Sequence, residues 1–89
     1  LCENAKNLKQ YEVAIGHCRK AINYDPQDAF THYLLALNYA YEGQRTGSLE
    51  MLAAARRSFQ VMLDLNSELE QAQFARTNIA AIDQALRGQ

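Results

Sequence analysis

The segment THYLLALNYAYEG, residues 31–43, constrains the fold more than any other part of this sequence. Projected as a helix at about 100° per residue, it carries apolar side chains on two opposite sides. One side consists of His32, Leu35, Ala36 and Tyr39. The other consists of Tyr33, Leu37 and Tyr41 together with Phe30, which directly precedes the segment. The segment is too short to cross a bilayer, which needs about 20 apolar residues. Such a helix must be covered on both sides, or covered on one side and open to a partner on the other.

The composition favours one all-α domain. The chain has 89 residues with a single Pro and four Gly, which leaves few of the residues that β-turns need. Its net charge is −1 and its Lys and Arg are scattered, so we expect no nucleic-acid partner. Its apolar runs are only a few residues long, so we also expect no direct insertion into a membrane.

Helical periodicity predicts five segments, at residues 2–7, 10–24, 27–42, 49–65 and 68–86. In DPQD, Asp25 is the expected N-cap, with Pro26 at the first helical position. Ser48 is the expected N-cap of the fourth segment. Ser67 and Glu70 have the spacing of a capping box at the start of the last one. Because the breaks are short, neighbouring helices should pack antiparallel.

A 34-residue period links the first and third segments. Three positions correspond at that distance, since Leu1, Cys2 and Ala5 stand 34 residues before Leu35, Ala36 and Tyr39. HYLLALNY then resembles the first-helix signature of the tetratricopeptide repeat family, with His32 at the first aromatic position. The second helices share the family's four-residue step, in the pairs Ala14 with Cys18 and Ala55 with Phe59.

The resemblance implies antiparallel helical hairpins stacked as a short right-handed solenoid. Residues 1–26 would form a truncated first repeat, 27–67 a second repeat and 68–87 a capping helix. Ala14 and Ala55 lie 41 positions apart, seven more than the period, so the second repeat carries an insertion near residues 44–50. We expect a longer turn at QRTG and about one added turn at the start of the fourth segment.

The family's members usually bind proteins and rarely catalyse reactions, which implies a protein or peptide partner held in a concave groove. Carried over by position, that groove would contain Glu3, Lys6, Asn7, Phe30, Tyr33, Leu37, Tyr41, Phe74 and Asn78. Its aromatic centre suits a partner with apolar anchors. Clamping of an acidic carboxy-terminal peptide is not expected, because Glu3, Leu34 and Leu37 stand where that clamp needs polar or basic groups.

Two alternatives to a peptide-binding groove remain. The same aromatic face could be mostly core, with the hairpins acting only as a segment of a longer solenoid. The chain could also form a homodimer through its truncated N-terminal hairpin, where four apolar residues would need cover: Ala14, Ile15, Cys18 and Ile22.

The reactive side chains give no pattern typical of a catalytic or metal site. Cys2, His17, Cys18 and His32 lack the paired spacing of zinc ligands, so we expect no metal and no cofactor. Two buried thiols are the favoured state of the cysteines, and a disulfide, which requires an oxidising compartment, is the alternative. His17 and Cys18 point about 100° apart and cannot share a proton. Arg56 and Arg57 are interpreted as part of a solvated face. The sequence therefore predicts a binding protein and no enzyme.

Overall fold

The computed structural model describes residues 2–3 and 10–88, and all regular secondary structure in that part of the chain is helical. The helices are α1 (Tyr11–Tyr24), α2 (Ala29–Thr46), α3 (Leu49–Leu65) and α4 (Ala72–Arg87). The all-α prediction is confirmed. Of the predicted helix at 2–7, Cys2 and Glu3 are not helical and the remainder lies outside the described residues. Among the described residues no helix is both long and apolar enough to pass through a bilayer.

Consecutive helices run antiparallel, and α2 packs between α1 and α3. Each of three side-chain pairs joins the first half of one helix to the second half of the next: Tyr11 with Tyr41, Tyr33 with Phe59, and Arg56 with Asp83. The short connections explain this arrangement, because a chain that reverses within a few residues places the next helix alongside the last.

Helix α2 begins at Ala29, two residues later than predicted. Its N-cap is Asp28, whose carboxylate accepts the backbone N–H of Phe30 at 3.1 Å and the hydroxyl of Thr31 at 2.9 Å. Asp25 instead accepts the N–H of Gln27 at 3.2 Å in the turn that contains Pro26. The expected cap at Asp25 was therefore wrong, because a residue before proline favours an extended backbone and here it ends α1.

Helix α2 ends at Thr46, four residues later than predicted, so the expected longer turn at QRTG was also wrong. Gly43 stays helical because it has no side chain at the point where α3 crosses. A Cβ built there would lie 3.1 Å from the backbone nitrogen of Leu52. The helix stops at Gly47, whose φ of 72° is left-handed and favours glycine. Only Gly47 and Ser48 connect α2 to α3.

In the last turn of α2, side chains bond to a backbone carbonyl group and to a buried carboxylate. The hydroxyl of Thr46 donates to the carbonyl oxygen of Glu42 at 2.8 Å, and Arg45 donates to the buried Glu42 carboxylate at 2.6 Å. The hydrogen bond from Arg45 lowers the pKa of Glu42. The residues after Glu42 therefore extend α2 to Thr46, and the connection to α3 stays short.

Helix α3 begins and ends where the sequence predicts, and Ser48 caps it by accepting the N–H of Met51 at 3.2 Å. Helix α4 begins at Ala72, four residues later than predicted, and the capping box of Ser67 and Glu70 does not form. The side chain of Asn66 instead accepts the N–H of Glu68 at 3.0 Å, which starts a turn at the residues expected to be helical.

The main core lies between α2, α3 and α4. Its largest fully buried side chains are Phe59 and Met62, and alanines such as Ala36, Ala55 and Ala75 let the helices approach closely. Leu37 belongs to this core and is only 4% exposed, so its predicted place in an open groove was wrong.

A smaller core cluster lies between α1 and α2 and contains Ile15, Cys18 and Leu35. In this cluster Leu35 of α2 packs against α1. Tyr39 contacts both clusters. The apolar surface expected to need a homodimer is largely covered within the chain, since Ala14, Ile15 and Cys18 are buried.

The N-terminal residues are fastened to both α1 and α2. Cys2 forms a disulfide with Cys18, with the two Cα atoms 4.2 Å apart, so the favoured prediction of two thiols was wrong. The buried amide of Asn38 donates to the carbonyl oxygen of Glu3 at 3.1 Å and to that of Leu34 at 3.0 Å. These contacts draw residues 2–3 along α2, which brings Cys2 to the buried Cys18. The described residues hold no group of side chains suited to a metal ion.

Removing the disulfide should destabilise the protein. The bond closes a loop with a sequence separation of 16. Replacing Cys2 and Cys18 with Ala should lower the free energy of unfolding by about 2–4 kcal/mol, because the unfolded chain has more conformational entropy without the cross-link. Urea unfolding followed by circular dichroism measures the loss. Equal stabilities of wild type and variant would contradict this account.

Two Phe to Ala substitutions should separate the core from the surface. Phe59→Ala should cost about 3–5 kcal/mol, because Phe59 is fully buried and its loss leaves a cavity. Phe30→Ala should cost far less, since the Phe30 side chain is 43% exposed. Thermal unfolding of the two variants gives the comparison, and similar midpoints would contradict the difference in burial between Phe59 and Phe30.

Candidate protein-binding surface

Three aromatic side chains form a continuous patch, the aromatic surface, on α2 and α4: Phe30, Tyr33 and Phe74. The ring centroids of Phe30 and Tyr33 are 5.7 Å apart, and Tyr33 meets Phe74 edge-on at 6.3 Å. Below them, Tyr33 contacts the buried ring of Phe59 at 6.3 Å. Phe30 is 43% exposed and Phe74 is 46% exposed. The patch is therefore anchored in the core and open to solvent on its outer side.

Helix starts position two of these rings. Phe30 is the second residue of α2, directly after the Asp28 cap that holds its N–H. Phe74 lies in the first turn of α4. Helix α4 is tied to α3 by Arg56, which donates two hydrogen bonds to the carboxylate of Asp83. The aromatic surface thus depends on one cap and one interhelical ion pair.

Burial raises the pKa of the Tyr33 hydroxyl above its usual value, and the nearby Tyr41 phenol acts in the same direction. Tyr33 is therefore a neutral phenol at physiological pH. A half-buried neutral phenol between two exposed phenyl rings provides a large apolar area with one hydrogen-bonding group.

The structure brings together only part of the predicted groove. Phe30, Tyr33 and Phe74 meet, and the half-buried Asn78 lies one turn beyond Phe74 and donates to its carbonyl oxygen at 2.9 Å. Tyr41 is 43% exposed but pairs with Tyr11, at a centroid distance of 6.0 Å. The remaining members do not join the patch: Leu37 is buried, Glu3 is exposed and offers its carbonyl to Asn38, and Lys6 and Asn7 lie outside the described residues.

Sequence reasoning missed a second concave feature, the α1–α3 groove, on another side of α2. It has a volume of about 590 Å³. Its lining residues include Arg19, Ile22, His32, Leu35, Tyr39 and Arg57, with Ala54 beside them on α3. The sequence shows Arg57 as part of the adjacent pair Arg56 and Arg57, but no local pattern indicates that Arg19 lines the same groove. Arg56, the other half of the pair, points instead to Asp83.

No protein-family model, curated protein or solved structure matches this chain. The interpretation of the two surfaces therefore depends on their own geometry and chemistry.

The Arg56–Asp83 pair should make the stability of the protein fall at low pH. The hydrogen bond from Arg56 lowers the pKa of Asp83, and the positive charges of Arg56 and Arg87 act in the same direction. Since the folded pKa lies below the unfolded value of about 3.9, the stabilisation is complete above about pH 5 and is lost as the pH falls through the folded value.

Asp83→Asn should therefore destabilise the protein at pH 7 and flatten the fall in its unfolding midpoint between about pH 5 and pH 3. Thermal melts of wild type and variant across this range measure the effect. Glu70→Gln, at an exposed carboxyl in the turn before α4, is the control and should keep the wild-type slope. An unchanged slope in Asp83→Asn would show that the ion pair contributes nothing to folding.

Proposed function

We propose that this chain is a protein-binding module that holds an apolar segment of a partner protein against the aromatic surface. The observation that carries the proposal is the exposure of Phe30 and Phe74 on either side of Tyr33, with all three rings supported by the core. Large rings that stay exposed in a small domain are a cost unless a partner covers them.

The chemistry of the patch supports a protein partner. Phenyl and phenol rings bury much apolar area and lose little side-chain freedom on binding, so they are frequent at the centre of protein interfaces. The rings are also pre-positioned by helices, which lowers the entropic cost of binding. An apolar side chain such as Leu or Met would cover both phenyl rings, and a backbone group could bond to the Tyr33 hydroxyl.

The proposal includes a tetratricopeptide-like arrangement. In it, α2 and α3 form one repeat, α1 is the second helix of the preceding repeat and α4 is the capping helix. The antiparallel order and the contact of Phe74 with Tyr33, which joins α4 to α2, support this arrangement. The aromatic surface then lies on the side formed by first helices, where the family resemblance implies partner binding.

Replacing both exposed rings should abolish partner binding without unfolding the domain. Phe30→Ala with Phe74→Ala removes two side chains that are each more than two-fifths exposed, so the thermal midpoint should fall only slightly. A photo-crosslinking amino acid in place of the exposed Thr77, one turn beyond Phe74 on α4, is introduced in cells of the source organism and identifies the partner by mass spectrometry. We expect a crosslinked protein with the wild-type rings and its loss in the double variant.

Tyr24 provides the matched control, because it is 93% exposed and lies at the end of α1. Tyr24→Ala should leave the crosslink intact. A crosslink to a second copy of this chain would replace partner binding with self-association, and sedimentation would then show a dimer. A crosslink that survives the loss of both phenylalanine rings would contradict the proposed surface.

A further inference from the structure

The α1–α3 groove lies on the opposite side of α2 from Phe30. Phe30 and Tyr39 are nine residues apart, which is half a turn around the helix at about 100° per residue. Helix α2 forms the floor of the groove with Leu35 and Tyr39, and α1 and α3 form its walls. Its volume is about 590 Å³, and it is an open depression on the surface, not an enclosed cavity.

The charges of the groove have one sign. Arg19 on α1 and Arg57 on α3 are both exposed and line opposite walls, and no Asp or Glu lines this part of the groove. Neither arginine forms an ion pair or a hydrogen bond with any residue in 2–3 or 10–88, whereas Arg45 and Arg56 are both paired. Two uncompensated guanidinium groups therefore face a partly apolar floor.

The groove continues towards the start of α3, and this continuation has a carboxylate. A second depression shares Tyr39, Ala54 and Arg57 with the groove and adds Glu50 and Met51. The full channel is thus basic over α1 and the middle of α3 and acidic at its far end. Such a gradient would give a bound chain one preferred direction.

The shape and charge of the channel indicate an extended acidic ligand. An open channel with apolar side chains on its floor and walls is poorly suited to a small inorganic anion, which needs several converging donors. Nucleic acid would require more than two arginines in a chain of net charge −1. A peptide that carries both an apolar residue and carboxylates matches the floor and the walls together.

We propose that the α1–α3 groove binds a short acidic segment of a partner protein. An apolar side chain of that segment packs on Leu35 and Tyr39, and flanking carboxylates pair with Arg19 and Arg57. This groove shares no residue with the aromatic surface, so binding in the groove does not depend on whether that surface binds a partner. The module would then contact partners on two sides of α2.

A random peptide library displayed on phage provides the test, because it assumes no particular sequence. The wild-type protein is the bait, and a variant with Arg19→Glu and Arg57→Glu removes peptides that bind elsewhere. We expect the retained peptides to combine Asp or Glu with a Leu, Ile, Met or aromatic residue. Their amide chemical-shift changes on the protein should map to Arg19, Ala54 and Arg57.

Affinity measurements on the retained peptides make the test quantitative. Reversing both arginines should weaken binding by roughly tenfold or more, because two attractive pairs become repulsive, and added salt should weaken wild-type binding. The control carries the same change in net charge outside the groove, through Lys20→Glu and Arg76→Glu, and should change the affinity by less than roughly twofold. Phe30→Ala with Phe74→Ala should leave it unchanged.

Several outcomes would overturn the proposal. Failure to retain any peptide, or retention of neutral or basic peptides, would show that the arginines do not select an acidic ligand. Equal affinity in the charge-reversed variant, whose fold circular dichroism would verify, would do the same. Sedimentation showing a dimer that the reversal disrupts would make a second copy the occupant, and binding of a single-stranded oligonucleotide lost on reversal would make it nucleic acid.

Discussion

The burial of α2 is the constraint on which the rest of this structure depends. Its residues are apolar on almost every side, so the helix is stable only while α1 and α3 flank it and α4 covers part of the core beside it. Tyr39 joins the two core clusters across it. Helices α1 and α3 pack directly on α2, while α4 packs mainly on α3. The aromatic surface and the α1–α3 groove lie on two different sides of α2.

Two sets of polar contacts fix the positions of the elements that surround the core. The buried amide of Asn38 satisfies two carbonyl groups and holds residue Glu3 against α2, while Arg56 and Asp83 hold α4 against α3. Hydrogen bonds are directional, so polar contacts of this kind specify one arrangement of the helices where apolar contacts alone would allow several. The aromatic surface depends on the Arg56–Asp83 pair, because Phe74 is part of α4 and its position is set by that helix.

Much of the fold was predictable because local signals specify it. The start of α3 and the end of α1 follow from the Ser48 cap and from Pro26. Phe30 and Tyr33 were predicted from the helical periodicity, whereas Phe74 was expected only from the family resemblance. The continuation of α2 through Gly43 was not predictable, because glycine usually marks a helix end and only the approach of Leu52 explains it. The burial of Leu37 and the meeting of Arg19 and Arg57 depend on how helices distant in sequence pack, which no local pattern encodes.

The disulfide gives this small domain a response to its chemical surroundings. With Cys2 bonded to Cys18, residues 2–3 are held to α1 by a covalent bond, and without it they are held to the rest of the chain by weaker contacts such as that of Asn38. A reductant therefore removes the covalent link at one end of the molecule and lowers its stability, while the core of Phe59 and Met62 contains no bond that a reductant can cleave. The thiol–disulfide balance of the surroundings thus decides whether residues 2–3 are held to α1 by a covalent bond or only by weaker contacts.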